Sequence, residues 1–241
     1  MGDVPDSAVS GFFSLIKRAK ADGRFNVDRD RVLLFELPTE GEVSVNMTRV
    51  IRYDATDGQA LSKAEVIARK QVMEVVEFLQ NDVPGFEEAI LINCGTQIGV
   101  RESRRIIGEY VLTGEDVVSG AKFEDVIALG SYPIDIHAPD GNEINVIKMK
   151  PGTIYDIPYR SILNKKVPNL LVAGRCLSAT HEALASARVT PTAMLIGQAA
   201  GTAAAIAAKE ETLPRNISIN HLQHNLRNQG CYLSENEIKG S

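Results

Sequence analysis

The sequence contains no tryptophan, and only 5% of its 241 residues are aromatic. Because sugar rings are commonly bound by stacking on aromatic side chains, this scarcity disfavours an extended carbohydrate-binding groove. Cysteine is scarce as well, and Cys94, Cys176 and Cys231 are widely spaced with no C-x-x-C pair among them. Three isolated cysteines argue against a disulfide framework and favour a reducing compartment, so we expect a cytoplasmic protein.

No block of like charge interrupts the chain. Lys and Arg number 26 and Asp and Glu number 31, which gives a net charge of −5 with both signs interspersed. This balance disfavours a nucleic-acid partner.

Residues 1–20 lack an apolar core behind a basic start, so no secretory signal is predicted. The longest apolar run, residues 193–208, indicates an interior helix rather than a membrane span, with Gly197 and Gly201 packed closely against a sheet.

Hydrophobic periodicity predicts alternating helices and strands before residue 160, as in an α/β protein. With 44% hydrophobic residues, the chain can bury a large core in one domain or two. The first predicted element is a helix that starts at Asp6 or Ser7 and stops at Gly23, followed by a hairpin of strands at 31–37 and 42–51. A second helix runs from Ser62 to the residue before Pro84. Strands follow at 89–93, 131–137 and 143–149, with a turn at 139–141, and the last helix is predicted at 218–228.

The most informative stretch is residues 167–209, which read VPNLLVAGRCLSATHEALASARVTPTAMLIGQAAGTAAAIAAK. An apolar run at 169–173 predicts a buried strand that ends at Gly174, where the absence of a side chain permits a ligand to approach the backbone. Thr190 is then predicted to cap a helix with Pro191 at its first position. The start of that helix offers unpaired N–H groups and a positive dipole end, which suit an anionic or electron-rich group.

This stretch resembles the C-terminal flavin-binding signature of the FAD-dependent oxidoreductases, flavoproteins with two dinucleotide-binding domains. The similarity continues upstream through VSVNMTRV (43–50), PGFEEA (84–89), GVRESRRIIGEYVLTGEDV (99–117), YPIDIHAPDG (132–141) and YDIPYRSI (155–162). The resemblance implies an α/β fold in two parts. Residues 1–160 would form a mixed-sheet substrate domain with helices, and residues 161–241 the C-terminal strand and helices of a Rossmann-like FAD-binding domain.

One part of the family's pattern is missing. Family members open with a strand, a G-x-G-x-x-G turn and a helix that hold the ADP half of FAD, and this pattern occurs nowhere in the sequence. The resemblance therefore implies the C-terminal portion of an enzyme that transfers a hydride between a small organic substrate and FAD. Alone, it is expected to be inactive and to bind FAD weakly or not at all. Three explanations of the missing pattern stay open: the chain is a domain cut from a longer protein, the gene is truncated, or another chain supplies the nucleotide-binding half. Loss of that half would expose apolar surface, through which the chain could form a homo-oligomer.

The resemblance also selects candidate site residues. The predicted flavin contacts are the glycine and arginine at the end of the strand and the residues at the start of the helix: Gly174, Arg175, Thr190, Thr192, Ala193 and Met194. The candidates for catalysis and substrate binding are the loop histidine and three arginines: His181, Arg188, Arg101 and Arg104. A helical run at 101–105 would put Arg101, Arg104 and Arg105 on one face. Helix capping, surface ion pairs and a solvated charged face are the structural alternatives for these residues.

Two other functions stay open. One is a non-catalytic binding or scaffold domain that lacks the nucleotide-binding half. The other is a polysaccharide lyase, for which Tyr132, His137 and Arg160 supply the residue types although nothing in their spacing favours it. No metal site is predicted, because His221 and His224 have helical spacing but no third ligand nearby in the sequence.

Overall fold

The computed structural model describes residues 8–137, 144–147 and 149–239. The chain divides into two compact units, Met1–Val100 and Arg101–Ser241. This division reflects the contacts within each unit. The boundary predicted near residue 160 separates a substrate domain from part of an FAD-binding domain, and it stays a prediction.

The first unit combines a small antiparallel sheet with two helices. Its elements are β1 (Ala8–Gly11), α1 (Phe13–Ala21), β2 (Val32–Glu36), β3 (Val43–Val45) and α2 (Gly58–Asp82), with the strands in the order β1-β2-β3. The predicted hairpin is confirmed as β2 and β3, with Leu34 opposite Val45. The long helix is confirmed too, although it begins four residues before Ser62. Asp57 is its N-cap and accepts hydrogen bonds from the N–H groups of Gln59 and Ala60.

Two predictions in this unit were wrong because strand pairing, which acts over long range, decides them. Residues 8–11 were predicted to begin a helix, but they form β1, which pairs with β2 and puts Val9 opposite Leu34. Residues 89–93 were predicted to form a strand, but they are irregular, and Ile90 and Ile92 are 81% and 68% exposed. A strand is stable only beside a partner, and this run has none in the described part of the chain.

The core of the first unit lies between the helices and the sheet. It contains Ile16, Phe25, Val32, Phe78 and Leu79, among others, and the rings of Phe25 and Phe78 have centroids 4.8 Å apart. The buried residues Ala64, Ala68, Val75 and Leu79 recur at helical spacing, which places them on one side of α2.

The second unit packs helices around two short strand pairs. Its elements are α3 (Gly114–Ser119), β4 (Val126–Gly130), β5 (Ile134–His137), β6 (Ile144–Ile147), β7 (Tyr155–Pro158), α4 (His181–Ala187), α5 (Thr190–Lys209), α6 (Ile219–Asn228) and α7 (Glu235–Lys239). Both pairs, β4 with β7 and β5 with β6, are antiparallel. The strands predicted at 131–137 and 143–149 and the helix at 218–228 are confirmed. The turn predicted at 139–141 lies outside the described residues. The sequence analysis did not predict α3, β4, β7, α4 or α7, and His181, which was expected in a loop, is the first residue of α4.

The core of this unit joins the β4–β7 pair to α4, α5 and α6. Ile127, Ile157, Leu184, Ile196 and Leu222 are all buried in it. The chain is therefore a mixed α/β protein, as predicted, with helices packed on small sheets.

Three predictions around the informative stretch need correction. Residues 169–173 form no strand and make only an isolated bridge between Leu163 and Leu171. The N-cap of α5 is Val189, one residue earlier than predicted, and Thr190 makes no capping bond. Gly197 and Gly201 do not pack closely, since a Cβ added at either would meet nothing within 4 Å.

One face of α5 packs in the core of the second unit through Ile196, Ala199, Ala203 and Ile206, and the face that carries Gly201 and Ala204 is exposed. The helix is long and apolar enough to cross a membrane by length and composition, and 33% of its apolar window is buried. A single helix of this kind is weak evidence for a membrane span, because core helices of water-soluble proteins pass the same test.

Candidate functional site

An extended segment at residues 101–112 forms one side of the candidate site. The N–H of Ile106 donates to the Cys176 carbonyl at 3.0 Å, and the N–H of Thr180 donates to the Leu112 carbonyl at 2.8 Å. The helix expected at 101–105 is therefore wrong. Backbone pairing with residues 176–180 outweighs the local helical spacing of the arginines.

Gly108 permits this close pairing. A Cβ at residue 108 would lie 2.7 Å from the Cβ of Ser178, which is closer than real side chains approach. The N–H of Gly108 also donates to the Ser178 hydroxyl at 3.0 Å. The two backbones thus approach as closely as they do because residue 108 has no side chain.

The short helix α4 lies beside the start of this segment. Thr180 is its N-cap and accepts a hydrogen bond from the N–H of Ala183. His181 is its first residue and Arg188 follows its last, so the two side chains are separated by about two turns and project from the same side. His181 Nδ1 lies 2.6 Å from Glu102 Oε2, and Arg188 Nη1 donates to the Arg101 carbonyl at 3.0 Å.

Glu102 and Arg105 connect these groups, although neither was a predicted site residue. Arg105 Nη2 lies 3.4 Å from Glu102 Oε1, and Arg105 Nη1 donates to the Ala179 carbonyl at 2.9 Å. The signal available in the sequence was a single carboxylate inside a run of three arginines. Its importance depends on contacts with residues more than seventy positions away, which sequence spacing does not show.

Charge at the site is divided between paired and exposed groups. The pKa of the Glu182 carboxyl is lowered because it accepts hydrogen bonds from its own N–H and from the Thr180 hydroxyl, so it stays ionised at neutral pH. Arg101 and Arg104 are exposed, and their side chains make no ion pair with any residue of the described ranges. A ligand can reach both of these cations.

The predicted flavin contacts lie along the next helix. Gly174 and Arg175 belong to a short 3-10 turn, Gly174–Cys176, that packs against α5, and Gly174 has a φ of 68° that favours glycine. At the start of α5, the N–H of Ala193 donates to the Val189 carbonyl at 2.9 Å.

The donors left at that helix start are few. The first three residues of α5 after the N-cap Val189 are Thr190, Pro191 and Thr192. Since Pro191 has no N–H, the unpaired backbone donors of this first turn are those of Thr190 and Thr192. Thr192 is buried, whereas Thr190 is exposed and Met194 is 69% exposed. The structure thus leaves an accessible surface at the start of α5, two residues after Arg188.

A comparison with known families bears on this arrangement. The family model described as FAD dependent oxidoreductase matches residues 6–226. The chain belongs to the FAD dependent oxidoreductase family. No curated protein and no solved structure matches it. The resemblance drawn from the sequence is thereby confirmed, and an oxidoreductase function follows from family membership.

For a member of this oxidoreductase family, the residues present fit one part of FAD and not the other. The start of α5 offers two N–H donors, an exposed hydroxyl and a positive helix end, which suit the polar edge of a flavin ring. A pyrophosphate requires a glycine-rich turn between a strand and a helix, and the described residues contain no such turn.

Arg160, one of the residues considered for a lyase, is held in an ion pair. The Arg160 guanidinium is bound by both carboxylate oxygens of Asp125, at 2.9 and 3.1 Å, and lies 5.3 Å from the Tyr110 ring centroid. Tyr132 is exposed, and the His137 side chain lies outside the described part. Burial and a hydrogen bond to Asp116 raise the pKa of the neighbouring Tyr110 to about 12, so its phenol stays protonated at neutral pH.

The two helical histidines have other contacts. His221 Nδ1 lies 3.0 Å from Glu210 Oε1, and His224 Nε2 lies 3.0 Å from Asn228 Nδ2. Within the described residues, no group of three or more His, Cys, Asp or Glu side chains could hold a metal ion.

Proposed function

We propose that this chain forms part of an FAD-dependent oxidoreductase that transfers a hydride between a small organic substrate and the flavin. The observation that carries the proposal is the family match over residues 6–226, which includes α4, the segment beside it and the whole of α5. Membership gives the class of chemistry. The contacts described above support the roles of individual residues.

The start of α5 is proposed to hold the edge of the flavin ring. When bound, the flavin accepts or donates the hydride. The N–H groups of Thr190 and Thr192 and the hydroxyl of Thr190 would orient the ring, and the positive end of the helix would favour negative charge on it. The turn that contains Gly174 and Arg175 packs on this helix and would line the same surface.

The surface of α4 is proposed to bind the substrate. Arg101 and Arg104 carry exposed guanidinium groups that can bind a carboxylate through two hydrogen bonds. His181 is the first residue of α4 and contacts Glu102 through Nδ1, and its Nε2 can accept a proton from a substrate hydroxyl or amine as the hydride leaves carbon. Arg188 would hold the backbone of Arg101 in place through its carbonyl.

The ADP half of the cofactor is proposed to be bound elsewhere, by a further domain or a partner chain. The support is that the sequence contains no G-x-G-x-x-G pattern. The chain by itself would then bind FAD weakly and have no activity. Three free cysteines support a reducing, cytoplasmic location. The same missing pattern supports the second candidate, a non-catalytic binding domain.

A titration with a set of flavins tests the proposal. The purified chain is titrated with FAD, riboflavin and ADP, and flavin fluorescence and absorption are followed. If the chain contacts only the ring, riboflavin and FAD bind with similar weak affinity and ADP does not compete. Tighter binding of FAD than of riboflavin, with competition by ADP, would reveal a nucleotide site and contradict this part of the proposal. No binding of either flavin would favour the non-catalytic domain.

A pair of threonine variants locates the binding surface. Thr190→Ala removes the exposed hydroxyl at the start of α5 and should weaken riboflavin binding severalfold. Thr39→Ala removes an exposed threonine from the first unit and serves as the control. Equal affinities in both variants would place the flavin elsewhere.

A further inference from the structure

Glu102 makes the shortest polar contact at the candidate site. Its Oε2 lies 2.6 Å from His181 Nδ1, and its Oε1 lies 3.4 Å from Arg105 Nη2. The Glu102 side chain is 21% exposed, whereas the His181 side chain is 54% exposed. The imidazole therefore has one nitrogen against a partly buried carboxylate and most of its surface in solvent.

The chemistry of the pair decides which nitrogen carries the proton. A carboxylate that is paired with a guanidinium is an anion, and an ionised carboxylate only accepts hydrogen bonds. The hydrogen in the contact must then be on His181 Nδ1. In the neutral ring this leaves Nε2 with a lone pair, and Nε2 has no hydrogen-bond partner among the residues that the structure describes.

The carboxylate is itself held in place. Arg105 binds Glu102 with one nitrogen and donates to the Ala179 carbonyl with another, at 2.9 Å. Ala179 is two residues before His181, so the same guanidinium connects Glu102 to the backbone that carries the histidine. The extended segment is fixed as well, through the bond from Ile106 to Cys176.

We propose that Glu102 is a positioning residue that holds His181 as the Nδ1–H tautomer, with the Nε2 lone pair directed away from Glu102 and open to a substrate proton. The role in catalysis rests on the proposed function, whereas the tautomer is a property of the chain alone. Arg105 supports the arrangement by holding both Glu102 and the backbone before α4.

The tautomer can be measured without cofactor or substrate. Long-range ¹H–¹⁵N correlation spectra of the ¹⁵N-labelled chain distinguish protonated from unprotonated imidazole nitrogens at about pH 8, where an unperturbed imidazole is neutral. A His181→Gln variant assigns the signals of His181. The expected result for the unmodified chain is a protonated Nδ1 and an unprotonated Nε2.

Two matched variants test the cause. Glu102→Ala should convert His181 to the tautomer mixture of a solvated imidazole. Glu182→Ala removes the neighbouring carboxylate, which makes no hydrogen bond to the ring, and should leave the tautomer unchanged. The signals of His221 and His224, which belong to α6, report whether each variant is folded. If Glu102→Ala disturbs them, the charge-removing Glu102→Gln takes its place, for which a shift toward the mixture is expected.

The outcomes separate this inference from the proposed function. A protonated Nε2 in the unmodified chain would overturn the inference, as would a tautomer that does not respond to loss of the Glu102 charge or responds equally to Glu182→Ala. The expected tautomer together with no flavin binding would leave the positioning role of Glu102 in place and remove the proposed function.

Discussion

Asp82 is the residue whose charge contributes most clearly to the first unit. Its side chain is only 3% exposed, and Arg24 binds both carboxylate oxygens, with nitrogen–oxygen distances of 2.5 and 3.1 Å. This pairing lowers the pKa of the Asp82 carboxyl below its ordinary value of 3.8. Since the unfolded chain then binds the proton more tightly than the folded one, the stabilisation is complete above about pH 4 and is lost as the pH falls further.

Asp82→Asn should therefore lower the free energy of unfolding at pH 7 by about 1–2 kcal/mol, toward the lower end because Arg24 is 44% exposed. Below about pH 4, the free energy of unfolding of the variant should also decrease less steeply with falling pH than that of the unmodified chain. Urea unfolding followed across this pH range measures both effects. Asp22→Asn is the matched control, because Asp22 contacts the same guanidinium at 3.0 Å but is 51% exposed. An equal effect of both substitutions would show that burial of Asp82 contributes nothing.

At the scale of elements, the packing around α5 differs from the packing that the sequence predicted. Its glycines were expected to permit close packing on a sheet, yet the structure has open space beside both. Helical glycine in open space costs conformational entropy and gains no contact in return.

Gly197→Ala and Gly201→Ala should accordingly each raise the free energy of unfolding by about 0.5–1 kcal/mol. Ala204→Gly, at an exposed position of the same helix, should lower it by a similar amount. Thermal unfolding of the three variants checks both signs. A loss of stability on adding a methyl group at residue 197 or 201 would mean that this face of α5 is covered in solution.

At the scale of the whole molecule, each unit has its own hydrophobic core. One core is formed by residues between 16 and 83 and the other by residues between 112 and 233. Because each unit buries a cluster of its own, the two units are expected to unfold in separate transitions rather than in one.

Two spectroscopic signals can distinguish these transitions. Five of the six tyrosines belong to the second unit, and only Tyr53 belongs to the first, whereas the longest helix, α2, is in the first unit. Denaturation followed by far-ultraviolet circular dichroism and by tyrosine fluorescence should give curves that do not coincide. Superimposable curves with a single midpoint would show that the two cores unfold together.

The sequence by itself determined those features that depend on local pattern. The apolar spacing of α2, the strand–turn–strand pattern around Pro38 and the capped helix after Ser218 each depend on neighbouring residues, and each is confirmed. The family was determined in the same way, because its motifs are runs of consecutive residues.

Only the tertiary structure decided which distant residues meet. Residues 8–11 and 101–105 have helical patterns, yet both are extended, because β2 and the backbone at Cys176 offer hydrogen bonds that a local helix cannot replace. The contact between Glu102 and His181 likewise depends on the approach of two chain segments at Gly108. The physical reason is that pairing and packing across long sequence separations outweigh the small free-energy differences that set local preference.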